Sequence, residues 1–153
     1  MLVTALLGCA LHTSRAGLVE PPEGPGPVRM RTYEGKVYRL RLDEESAAIR
    51  YLDKVVVKVE GGRLFKTLFV KDWHVQDAGD GSGGFVGRLR RYGGRLVIDD
   101  RNTRRTLVIA DGTAPELRDH AGQDVLLLGH VVGGETIEVA GYRVLGPEEP
   151  AEE

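Results

Sequence analysis

Gly112 to Leu145 reads GTAPELRDHAGQDVLLLGHVVGGETIEVAGYRVL, and this stretch decides the fold class. Thr113 and Glu116 have the spacing of a capping box, in which each side chain satisfies a backbone N–H of the other's turn. Pro115 falls in the first turn, where its missing N–H costs nothing. Leu117 and Ala121 share a face at i and i+4, and Gly122 can close the helix in the left-handed conformation. Val125–Leu128 is an apolar run too short for an ordinary helix, and Gly133-Gly134 marks a turn. Ile137 and Val139, then Tyr142 and Val144, alternate with a slip near Gly141, the pattern of a bulged strand. A short helix followed by two strands is expected.

Working upstream, Gly87–Arg91, Leu96–Ile98 and Thr106–Ala110 have strand character. They are separated by turns at Tyr92-Gly-Gly-Arg and Asp99-Asp-Arg-Asn-Thr. Three strands, a short helix and two strands, over Phe85 to Leu145, resemble the OB-fold, with Gly122–Gly129 matching the opening of its fourth strand. The resemblance implies a mainly β, small Greek-key barrel with its helix between strands 3 and 4. Oligonucleotides, oligosaccharides and proteins are the ligand classes that it implies, so it speaks to fold far more than to function.

An echo of the same order lies earlier in the chain. Val70-Lys-Asp-Trp-His-Val matches Val139-Ala-Gly-Tyr-Arg-Val, which sets Trp73 against Tyr142 and Val75 against Val144. Val55 set against Val125 aligns the preceding strands, with Gly61-Gly62 taken as the turn. Tyr33-Glu-Gly-Lys-Val-Tyr resembles Phe85-Val-Gly-Arg-Leu-Arg. A degenerate tandem duplication is the expectation, with a shortened, strand-poor first copy. It divides the chain into a signal remnant and Pro/Gly-rich tether at 1–27, a strand-poor β first half at 28–76, a linker at 77–84, the OB-like barrel at 85–146 and an acidic tail at 147–153. Asp43 is the expected N-cap of a helical turn in the first half.

The composition is 41% apolar and 29% charged with a net charge of −2, so no bulk field favours nucleic acid or an anionic membrane. One cysteine excludes an intramolecular disulfide and a Cys-cluster zinc site. That cysteine closes Leu6-Leu7-Gly8-Cys9, which resembles a bacterial lipobox. The resemblance implies a diacylglyceryl group on Cys9 and delivery to the cell envelope. Ala10 after the cysteine favours the outer membrane, facing the periplasm or the surface. A secretory signal also needs a basic n-region. The residues ahead of Cys9 hold no Lys or Arg, so an in-frame start upstream of Met1 is expected.

No cofactor or metal set is legible. His12, His74, His120 and His130 lack ligand spacing, Asp77 and Asp80 lack the calcium-loop pattern, and Gly79-Asp-Gly-Ser-Gly-Gly only superficially resembles the surroundings of a protease nucleophile. Arg88, Arg90, Arg91, Arg95, Arg101, Arg104 and Arg105 make Phe85–Arg105 a basic stretch. Within it Arg88, Arg90, Arg104 and Arg105 are candidate contacts for an anionic ligand. Adjacent strand residues point to opposite faces, so a continuous groove is not expected. The function expected is that of a non-enzymatic, lipid-anchored structural or interaction module with a protein or glycan partner and no small-molecule substrate. The alternative is a cytoplasmic single-stranded nucleic-acid binder.

Overall fold

In a computed structural model the described residues are 11–147, so Cys9 and the acidic tail beyond Pro147 lie outside them. Ten strands close two barrels. The first holds β1 (Leu11–Glu20), β2 (Val28–Thr32), β3 (Val37–Arg41), β4 (Val56–Leu64) and β5 (Thr67–Asp77). The second holds β6 (Phe85–Tyr92), β7 (Arg95–Asp100), β8 (Arg105–Ile109), β9 (Asp124–Val132) and β10 (Thr136–Val144). Around each wall the order is 1-2-3-5-4 in its own count, the third and fifth strands being parallel and the rest antiparallel. A short 3-10 helix, Ala47–Tyr51 or Pro115–His120, joins strands 3 and 4 and drives Ile49 or Leu117 fully into the barrel. This is the OB topology, twice.

Register makes the repeat concrete. Val59 faces Trp73 as Leu127 faces Tyr142, and Val57 faces Val75 as Val125 faces Val144. Each strand pair slips at the same place, next to Gly61 and Gly129. Val125 therefore corresponds to Val57 rather than to Val55, and Gly61-Gly62 lies inside β4 instead of forming a turn. A Cβ on Gly61 would strike the Phe69 carbonyl, and one on Gly129 the Glu138 carbonyl. Gly17 and Gly87, likewise equivalent, crowd the Arg31 and Asp99 carbonyls. The counterpart of Phe85-Val-Gly-Arg is thus Arg15-Ala-Gly-Leu, and Tyr33-Glu-Gly-Lys is the β2–β3 turn.

The largest departure from expectation is at 11–20. This stretch is no tether: it is β1, paired with β4 over eight positions and with β2 over four. Its sequence hid it because only Gly17 and Val19 are buried. The strand is held by hydrogen bonds on both edges, which composition does not record. Only 21–27 forms a Pro/Gly-rich loop, and the first half is as complete as the second. The capping box also fails. Ala114 is the N-cap of the second helix, while the Thr113 hydroxyl donates to the Ala110 carbonyl at 2.9 Å. At the first helix the N-cap is Ser46, without a side-chain cap bond, rather than Asp43; the Asp43 carboxylate closes the turn just ahead of it, accepting from the Ser46 N–H at 2.9 Å and hydroxyl at 2.8 Å. These bonds hold the Asp43 carboxyl below its ordinary pKa.

The barrels stack foot to head. Val86, Leu126 and Leu145 of the second barrel complete the core of the first beside Trp73 and Val75. The Arg101 guanidinium lies 4.8 Å over the Trp73 ring and donates to the Glu45 carbonyl at 3.1 Å. Asn102 accepts from the Val75 N–H at 2.8 Å and donates to the Gly83 carbonyl at 2.9 Å. Asp100, 2% exposed, anchors that turn by accepting from the N–H groups of Val86 and Thr103 and from the Thr103 hydroxyl. Opposite this joint the first barrel ends in the two-residue turn Phe65-Lys66. Phe65 adopts φ 53° there, costing roughly 1–2 kcal/mol for a residue with a Cβ.

Candidate functional site

Three of the four arginines expected to meet an anion, Arg88, Arg104 and Arg105, come together in the cleft between the barrels, about 850 Å³ in volume. Most of the cleft's positive charge is paired. Its walls hold the cations Lys71, Arg88, Arg101, Arg104 and Arg105 against the carboxylates Glu44, Glu45, Asp72, Asp99, Asp100 and Asp124. Arg88 meets Asp124 at 3.3 Å, and Asp72 takes Arg104 at 2.8 Å and Arg101 at 3.4 Å. Arg105 donates to the Gly134 carbonyl at 2.7 Å. Arg90 forms a bidentate pair with Asp99, at 2.6 and 3.1 Å, and lowers the pKa of that carboxyl. Most of this basic stretch is therefore spent on joining and bracing the barrels.

A different face of the molecule carries unspent charge. Side chains of alternate strand residues share a face. Arg29 and Arg31 of β2 thus point outward with Arg39 and Arg41 of β3, while Val28, Met30, Tyr38 and Leu40 fill the core between them. All four arginines are exposed. Arg31 pairs with Glu20 at 2.7 Å, whereas Arg29, Arg39 and Arg41 make no ion pair among the described residues. Arg29 stands directly opposite Arg39, and like charges opposed across a ladder destabilise it. Arg41 stands opposite Phe69, which is 38% exposed.

The second barrel shows that the fold does not require this face. By register, Arg29 and Arg39 correspond to Val97 and Val108, which oppose one another in the same way. The pair Glu20–Arg31 corresponds to Arg90–Asp99 with the charges exchanged. The first barrel thus keeps an ion pair at a shared place and adds repelling arginines where its twin has valines. Sequence inspection confined to Phe85–Arg105 missed these residues. The available signal was Arg-x-Arg twice, in Val28–Arg31 and Tyr38–Arg41, at the period that collects side chains on one side of a strand.

No protein-family model, curated protein or solved structure matches this chain. The functional reading rests on its own geometry.

Proposed function

We propose that the chain is a non-enzymatic binding module of the bacterial cell envelope, anchored by lipid on Cys9, that holds an anionic partner against β2 and β3 of its first barrel. A glycan or an acidic protein surface is the partner proposed. The observation that supports this is the opposed pair Arg29–Arg39, flanked by Arg31 and Arg41, on the strands with which OB barrels commonly meet ligands. A site that costs stability in the free protein and gains it on neutralisation is arranged for an anion. In the purified chain, heparin as a polyanionic probe should bind, and R29V together with R39V should weaken it at least about tenfold. Unchanged binding by that double variant would overturn the assignment of the face. For the anchor, labelled fatty acid should enter the wild-type chain and not Cys9→Ser.

One observation favours a second reading. Phe69 beside Arg41 offers a stacking surface next to a cation, the combination that single-stranded nucleic acids use. In that case an oligonucleotide should bind more tightly than heparin. Its affinity should fall with salt at a slope of about −0.7 for each phosphate neutralised.

A further inference from the structure

The free end of the first barrel carries an unusual surface. Eight large apolar side chains are exposed among the described residues, and four of them gather here: Tyr33 (105%), Phe65 (88%), Leu11 (68%) and Leu64 (56%). Topology brings them together, because β1 and β5 start at this end while β2 and β4 finish at it, with Leu11 paired to Arg63. The same segments, 11–15, 33–36 and 63–66, carry Arg15, Lys36, Arg63 and Lys66 against the single carboxylate of Glu34. Arg15, and secondarily Arg63, lie at the Tyr38 hydroxyl and lower its pKa. The floor of this end is therefore cationic too. Phe65 is costly where it stands: its backbone favours glycine, its ring gains almost no burial, and the matching turn in the second barrel is Gly133-Gly134.

We propose that this end is a membrane-contact surface: Phe65, Leu64, Leu11 and Tyr33 enter the headgroup region of an anionic bilayer, and Arg63 and Lys66 meet its phosphates. Apolar tips ringed by long cationic side chains suit that boundary, where stems stay in the apolar layer and charges reach the headgroups. Cys9 lies two residues before Leu11, so a lipid there would leave almost no slack and set this end against the bilayer. The inference rests on the envelope reading for the presence of a membrane but not for the contact itself. The opposite end of the first barrel meets the second barrel, and the arginine face begins beside this end, where the Arg39 N–H donates to the Lys66 carbonyl at 2.8 Å.

The test uses the unlipidated Cys9→Ser chain with vesicles of phosphatidylglycerol, and of phosphatidylcholine as the neutral control. Selective sedimentation with the anionic vesicles, weakened by salt, is expected. Phe65→Gly removes the ring while relieving its backbone, so the melting temperature should hold or rise as vesicle binding falls about tenfold. Phe65→Trp should shift its emission to the blue on binding, against the silent, buried Trp73. Equal binding to both vesicle types, none to either, or full binding by Phe65→Gly would overturn the proposal. So would Phe65-dependent self-association without vesicles, which would make a second copy the occupant. Fatty-acid labelling of wild type is read separately, so loss of the anchor and loss of the contact are distinguishable.

Discussion

The two barrels share strand order, register, bulge and helix position, yet their surfaces have parted. The second opposes Val97 to Val108 where the first opposes Arg29 to Arg39. It turns with Gly133-Gly134 where the first uses Phe65-Lys66, and its β7–β8 turn is occupied by the joint while the equivalent Tyr33 turn is bare. What is common is what closes a small barrel. What differs is outward-facing: on the first barrel it leaves Arg29, Arg39 and Phe65 exposed.

The comparison breaks most readily at the shared glycines. Gly61→Ala and Gly129→Ala should each cost about 3–5 kcal/mol in denaturant unfolding, since each Cβ meets a backbone carbonyl that cannot retreat. A cheap substitution at either position would mean that the slip beside it is not structurally equivalent. Next come the matched aromatics. Trp73 is buried at the joint under Arg101, whereas Tyr142 is only half-buried. Trp73→Ala should cost about 3–5 kcal/mol and Tyr142→Ala about half as much. Equal losses would deny the joint its special role.

Acid should then separate the two helices. Neither has a side-chain cap, but a carboxylate closes the turn just ahead of the first alone, and the Asp43 pKa is lowered by its bonds to Ser46. A depressed carboxyl contributes stability above its unfolded value, near 3.8, and that contribution disappears as pH falls through the lower folded value. Asp43→Ala should cost about 1 kcal/mol at neutral pH through the lost turn hydrogen bonds and flatten the acid limb of the stability curve below pH 4. An unaltered limb would put the acid sensitivity elsewhere. Smallest is the graft of the second barrel's pair onto the first. R29V with R39V should stabilise the free protein by a few tenths to about 1 kcal/mol, by removing the opposed charges, and lost stability would instead make the arginines structural.

The architecture was legible where side chains carry it. Apolar alternation and Gly-Gly turns from Phe85 to Leu145 give the barrel, and the Trp73–Tyr142 alignment matches the register of the folded strands. Leu11–Glu20 was not legible, since backbone pairing on both edges holds it with little apolar content. The pairing of Gly61 with Val70 was hidden for a related reason: two adjacent glycines suggest a turn, and a close backbone approach leaves the same trace. The site was harder still. A cluster of arginines in sequence proved to be ion pairs and joint contacts. Arg29, Arg39 and Arg41, without an ion pair among the described residues, are spread over two strands and emerge as a group only when β2 and β3 pair.

The joint has a consequence for how the molecule is made. Val86, Leu126 and Leu145 belong to the first barrel's core, so synthesis as far as Asp77 yields all five strands of its wall around a core still lacking those three side chains. The remaining 68 residues to Leu145 take roughly 3–14 s at ribosomal rates of about 5–20 residues per second. Until they arrive Trp73 stays uncovered, and the leading half of the chain waits on the trailing half to finish folding. The dependence runs one way: a gene cut at the linker would leave the first barrel without the side chains that close its core, while the core of the second is drawn from its own strands and helix.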